Sequence, residues 1–137
     1  VLRLKIYQEI ATFKTRGEGD FVDITSIIES IVSRSGIRNG LINVFAPHAT
    51  GVIGVTEYDP NLLKDIWDIL NTLIPKSRGY RHPENAHSHI RSLFLSPSKT
   101  FPLIDGRIAL GTWQTIFFIE VDTTPRTRKI IVQVIGE

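Results

Sequence analysis

Phe101-Pro102-Leu103-Ile104-Asp105-Gly106-Arg107-Ile108-Ala109-Leu110 reads as two short strands around an Asp-Gly turn. A two-residue hairpin turn needs positive φ at its centre, which Asp-Gly supplies, so this stretch makes antiparallel sheet the frame of the fold. Downstream, the second arm is expected to run on past Gly111-Thr112-Trp113-Gln114 into Thr115-Ile116-Phe117-Phe118-Ile119-Glu120, the glycine marking a bulge or bend. A last strand covers Lys129 to Ile135, after Pro125-Arg126-Thr127-Arg128.

Upstream, Ala86, Ile90, Leu93 and Phe94 are spaced for a short helix, and the basic stretch Lys76 to Pro83 reads as a loop. Asp59-Pro60 opens a longer helix with Asp59 as N-cap, Leu62, Leu63, Ile66, Trp67, Leu70, Leu73 and Ile74 as its apolar face, and Pro75 as its end. Leu41 to Phe45 and Thr50 to Thr56 read as strands, and Gly51 and Gly54 suggest that something approaches the second one closely. Ile24, Ile27, Ile28, Ile31 and Val32 predict another helix, with Ser26 and Glu29 at capping-box spacing and Gly36 as its stop. Lys14 to Asp20 is a turn or loop, and the alternation from Leu2 to Phe13 predicts one long strand.

The sum is an α+β domain spanning 1–137, with about seven mostly antiparallel or mixed strands and two or three helices against the sheet. The apolar helix faces suffice for one side only, which leaves β surface for a further copy of the chain. With no Cys, the chain has no disulfide, thiolate metal site or Cys nucleophile, and the absence of Met as well fits a thermophile. Sixteen basic against fourteen acidic residues give only +2, spread from Arg3 to Lys129, which does not argue for nucleic acid. No apolar run approaches a membrane span, and the opening residues alternate like a strand rather than a signal peptide, so a cytoplasmic protein is expected.

Histidines carry the clearest chemical signal, with His82, His87 and His89 close in sequence and His48 beside a strand. Residues two apart on a helix point roughly 200° apart, so at most one of His87 and His89 faces a given site. His48, one of that pair and Glu57 or Asp59 would suit zinc or another divalent ion; surface or hydrogen-bonded structural histidines are the alternative. His82, beside Pro83, reads as solvated. Glu57 suits a ligand or general base, or merely the start of a helix, and Asp59 reads as its cap. Trp113, between Thr112 and Gln114, offers a ring platform or is a core residue at a bulge, and Arg126 and Arg128 alternate so that both can grip an anion or guard a sheet edge.

In order and spacing, Asp23-Ile24-Thr25, His48-Ala49-Thr50, Glu57 with Asp59-Pro60, Asn85-Ala86-His87-Ser88-His89, Gly106, Leu110-Gly111-Thr112-Trp113-Gln114 and Pro125-Arg126-Thr127-Arg128 resemble the YjbQ-like family. A secondary thiamine-phosphate synthase activity is attributed to that family. The resemblance implies a two-layered β core with helices outside, a homotrimer, and a site near subunit contacts. It implies that His48 and His89 belong to the site and hold a divalent metal, zinc or magnesium, with His87 ranked below them. This chain departs from the family's frequent His-Thr-Thr at His48-Ala49-Thr50 and from its frequent Asn-Glu at Thr56-Glu57. The implied reaction joins a pyrimidine pyrophosphate to a thiazole phosphate, with His48, His89 and Glu57 catalytic, and Thr112, Trp113, Gln114, Arg126 and Arg128, together with Arg91, holding the phosphorylated substrate. A metal-dependent hydrolase of a phosphorylated or amide substrate and a non-catalytic module for an anionic metabolite are the competing expectations.

Overall fold

The computed structural model describes residues 3–137; Leu2, at which the expected first strand opens, lies outside the described residues. In chain order the elements are β1 (Lys5–Lys14), β2 (Phe21–Asp23), α1 (Thr25–Ser35), β3 (Gly40–Phe45), β4 (Gly51–Thr56), α2 (Pro60–Leu73), α3 (Ala86–Leu95), β5 (Ser98–Ile104), β6 (Arg107–Ile108), β7 (Thr115–Glu120) and β8 (Thr127–Gly136). They build a five-stranded sheet, β1-β8-β3-β5-β6, and a three-stranded sheet, β2-β7-β4. Every pairing is antiparallel. The α+β class and the two-layered β core are therefore as expected.

Alternation along β8 decides which side faces in: Arg128, Ile130, Val132 and Val134 are buried while Lys129, Gln133 and Ile135 are exposed. Ile130, Val132 and Val134 meet Ile53, Ile116 and Phe118 of the small sheet, Ile28 and Ile31 of α1, and Ile24 just before it. Each such isoleucine contributes roughly 1.5–3 kcal/mol by leaving water. The other face of the small sheet, with Val52, Phe117 and Ile119, packs against Trp67, Leu70 and Ile74. Among the described residues no helix covers the outer face of the large sheet, where Ile6, Ile135 and Leu41 lie in register across β1, β8 and β3 and are exposed. Among the described residues no helix is long and apolar enough to cross a membrane.

Local signals placed several elements correctly. Gly36 ends α1 in the left-handed conformation, and Asp59 accepts the Leu62 N–H at 3.0 Å to cap α2. Asp105 and Gly106 both carry positive φ at the hairpin. The close approach to β4 is made by its partner strand: a Cβ at Gly51 would lie 2.5 Å from the Phe118 ring, and one at Gly54 would lie 2.6 Å from Phe117.

Three expectations need correction. The capping box of Ser26 and Glu29 does not form; Ile24 is the N-cap, and Thr25 instead bonds both the N–H and the C=O of Ile116 on β7. The long second hairpin arm is two strands, not one bulged strand. Gln114 closes a turn on Gly111, its N–H donating to the Gly111 carbonyl at 3.1 Å and its Oε1 accepting the Gly111 N–H at 2.8 Å, and the chain passes there from the large sheet to the small one. β2 is an additional strand, three residues long and too short to show a period.

Candidate functional site

One end of the sandwich carries a buried ionic cluster. Arg128, the first inward residue of β8, reaches the last residue of β7: its Nε donates to Glu120 Oε1 at 2.8 Å and its Nη2 to the other carboxylate oxygen. The same Nη2 reaches Thr50 Oγ1 at 2.9 Å and the Thr50 carbonyl at 3.0 Å, and the guanidinium carbon lies 5.6 Å over the Phe118 ring. Glu120 also accepts from Thr15 Oγ1 at 2.7 Å and from the Asp122 N–H at 3.1 Å. Arg128 is 4% exposed and Glu120 fully buried, so each charge depends on the other and on these hydrogen bonds to offset its lost hydration. Arg128 is thus spent inside the protein and does not join Arg126 in gripping an anion.

Asp122 stands next to this pair and faces outward from it. It accepts from Thr50 Oγ1 at 3.1 Å, Asn85 Nδ2 at 3.2 Å and the Thr123 N–H at 2.8 Å, and its ion-pair partner is Arg126 at 2.7 Å. Burial pushes the Asp122 carboxyl up, but the Thr123, Asn85 and Thr50 hydrogen bonds and the Arg126 charge outweigh it and hold the carboxyl below its ordinary value. Asn85 is the N-cap residue of α3 yet makes no side-chain cap, because its amide is engaged with Asp122 and its Oδ1 lies 3.2 Å from His82 Nε2. His82 is therefore not merely solvated. Its ring meets that of His89 edge to face, with centroids 5.1 Å apart.

His48 lies on the same end, its Nε2 3.0 Å from the Lys129 nitrogen and 3.1 Å from the Lys129 carbonyl oxygen, so that it accepts from the N–H in one tautomer and donates to the C=O in the other. Burial, then the Arg128 charge, lowers its pKa, so the ring is neutral at pH 7.

His87 and His89 point apart, as helical geometry demands. His87 is fully buried with Nε2 2.6 Å from Glu18 Oε1, and Lys76 Nζ lies 3.7 Å from the other Glu18 oxygen, whereas His89 is half-buried at the surface. This pairing ties the loop after β1 to α3. The expected metal set of His48, His87 and His89 does not assemble within one chain. Nε2 of His48 is occupied by Lys129 and Nε2 of His87 by Glu18, and no group of three or more metal-ligating side chains occurs among the described residues. Arg91 is also no phosphate ligand: it is fully buried, donates to the Ile74 carbonyl and Asn71 Oδ1 at the C-terminal end of α2, and lies 4.9 Å over Trp67.

The remaining candidates sit at the opposite end. In the β4–β7 ladder Gly51 pairs with Glu120 and Thr56 with Thr115, five residues or about 17 Å along the strands, and Glu57 and Gln114 lie one residue beyond that far end. Trp113 is no core residue; it is 72% exposed at the tip of its turn, with Thr112 and Gln114 exposed beside it. Glu120, Asp122 and Thr15 were not among the candidates. The usable signal was Glu120 itself, a carboxylate closing an apolar strand, which burial would force to find a cation.

The fold and the cluster define a one-domain, two-sheet antiparallel α+β protein with a polar site at one end. The chain belongs to the YjbQ-like family: the model described as UPF0047 protein YjbQ-like matches residues 9–137. A UPF0047 protein of Methanothermobacter thermautotrophicus is 40% identical over 98% of this chain and 95% of its own, and YugU of Bacillus subtilis is 33% identical over 90% and 95%. Among solved structures, a YbjQ-like protein of unknown function from Sulfolobus solfataricus P2 superposes with a TM-score of 0.94 at 34% identity, covering 98% of this chain and all of that one. An uncharacterized YjbQ/UPF0047 protein from Clostridium acetobutylicum gives 0.86 at 35% identity, over 92% and 98%.

Proposed function

We propose that this chain is a small-molecule transferase of the thiamine-phosphate synthase type, acting on a phosphorylated substrate at the His48–Asp122–Arg126 end of the sandwich. The observation that carries this reading is Arg126, a 43% exposed guanidinium held by the buried Asp122 carboxylate, at an end of the sandwich where the His48 ring also lies, against Lys129. In the joining reaction the thiazole ring nitrogen forms a bond to the methylene carbon of the pyrimidine. The carbon–oxygen bond to pyrophosphate breaks, and pyrophosphate departs with the electron pair. No oxidant is needed, and the main demand is for positive charge and hydrogen-bond donors at the leaving group. Arg126 supplies the charge and the His48 ring, in the tautomer that accepts from Lys129 N–H at Nε2, an Nδ1–H donor, while the Arg128–Glu120 pair keeps the cluster in place.

The test is direct: purified protein with both substrates, assayed for thiamine phosphate and pyrophosphate. Arg126→Ala and His48→Ala are each expected to lower kcat/KM by at least about tenfold. Pyrophosphate released without the thiazole would point to a hydrolase, and saturable anion binding without any product to a binding module. We further propose that the exposed row Ile6, Ile135 and Leu41 is covered by other copies in a homotrimer, which sedimentation equilibrium reads as three times the chain mass.

A further inference from the structure

The capping box that Ser26 and Glu29 fail to form leaves the Glu29 carboxylate without a task on its own helix. It lines instead the space between α1 and the β5–β6 hairpin, where Glu29, Val32, Gly106, Arg107, Ile108 and Leu110 surround a cavity of about 340 Å³. Small-molecule sites occupy roughly 300–1,000 Å³, so the space is large enough for a compact metabolite. The cavity is remote from the His48–Arg126 end. Ile108 pairs with Leu103, Leu103 with Gly40 and Gly40 with Gly136, which puts it at the register of Gly136, eight residues or about 27 Å along β8 from Arg128. None of the residues expected to hold the phosphorylated substrate lines it.

The walls divide by chemistry. Val32 is buried, Ile108 and Leu110 are half-buried against the main core, and together they give an apolar floor. Glu29 stands on the helix side and Arg107 on the hairpin side. Among the described residues neither has an ion-pair partner, and they do not pair with each other. Arg38 puts a second guanidinium behind the hairpin: a Cβ at Gly106 would lie 3.1 Å from its Nη1, and its Nη2 donates to the Asp105 carbonyl at 3.0 Å. Asp105, the acidic residue of the turn, is not among the lining residues. The hairpin side is therefore cationic, the helix side anionic, and the floor between them apolar.

A plain anion in this cavity meets Glu29, and a plain cation meets Arg107 and Arg38, so each is opposed by one wall. A zwitterion is opposed by neither. We infer that the cavity binds a free α-amino acid with an aliphatic side chain, its carboxylate on Arg107, its ammonium on Glu29 and its side chain on Val32, Ile108 and Leu110. A guanidinium takes a carboxylate through two parallel hydrogen bonds, which fixes the ligand's direction as well as its charge. This site goes beyond the proposed function and does not rest on it.

Isothermal titration calorimetry of the full chain tests the inference with L-leucine, with L-leucinamide, which lacks the carboxylate, and with 4-methylpentanoate, which lacks the amino group. Leucine is expected to bind saturably at about one molecule per chain, and either analogue at least about tenfold more weakly. Glu29→Gln and Arg107→Gln should each weaken leucine by a similar factor and each erase one preference. The first removes the preference for leucine over 4-methylpentanoate, the second that over leucinamide. Both side chains are exposed, so the variants keep the fold, which unchanged urea midpoints verify. In isotope-labelled protein leucine should shift the backbone amides of Arg107 to Leu110 and those of α1 around Glu29. No saturable binding of leucine, isoleucine or valine overturns the inference. So does leucine binding that survives both substitutions, or that shifts the amides around Arg126 instead.

Discussion

The two ends of β7 differ in what surrounds them. At Glu120 the strand closes in a cluster where the carboxylate is fully buried and has partners on other elements: Arg128 on β8, Thr15 after β1, and through Arg128 also Thr50 before β4. At Thr115 the same strand begins beside an exposed indole and the exposed Glu57. Side-chain alternation is equally regular at both. The difference comes from the chain's crossings, which bring five segments together at one end and leave the other to solvent. The first end therefore holds the two sheets together, and the second is free to meet something else.

The sharpest way to break this contrast is to remove one carboxylate from each end. Glu120→Ala leaves Arg128 buried without a counter-charge and is expected to cost about 3–5 kcal/mol in urea unfolding, while Glu57→Ala should stay within about 0.5 kcal/mol. Equal effects would mean that the two ends are not differently loaded. A smaller loss, about 1–3 kcal/mol, is expected for Asp122→Asn, which weakens the Thr50, Arg126 and Thr123 contacts together; the same variant should slow the joining reaction because Arg126 loses its anchor.

The pH dependence of stability separates the ends further. His48 has a folded pKa below its ordinary value of 6.5, so between the two values the unfolded chain binds more protons than the folded one. Its contribution makes stability rise with pH across that window and fall as the pH drops below the unfolded value. Denaturation midpoints measured through the window should show this slope in the wild type and a shallower one in His48→Gln. The smallest expected effect is at Glu84, next to the cluster, whose φ of 70° lies in the left-handed region. Glu84→Gly should raise the thermal midpoint slightly, by at most about 1 kcal/mol in stability, since glycine adopts that conformation without a Cβ clash.

What could be read before the fold was known followed the range of the interaction. Gly36, Asp59-Pro60 and Asp105-Gly106 act on residues within one turn of themselves, and each stands where its chemistry requires. Ser26 and Glu29 had the spacing of a cap but lost to Thr25, whose hydroxyl found the backbone of β7, 91 residues away in sequence. The site shows the same division. His48, Arg126 and His89 were legible as reactive residue types, whereas Glu120 and Asp122 looked like ordinary charges at a strand end.

By itself the sequence determined the α+β class, the turns, both long helices and the family, because apolar periodicity and turn chemistry are local properties of the chain. Only the tertiary structure decided that Arg128 and Arg91 are internal, that His87 answers Glu18, and that Trp113 stands beyond the far end of β7, which is itself about 17 Å from the cluster that Trp113 was expected to join. Those outcomes depend on which segments meet in space, 17 residues apart for Arg91 and Ile74, 69 for Glu18 and His87 and 78 for Thr50 and Arg128, and no local pattern encodes such a meeting.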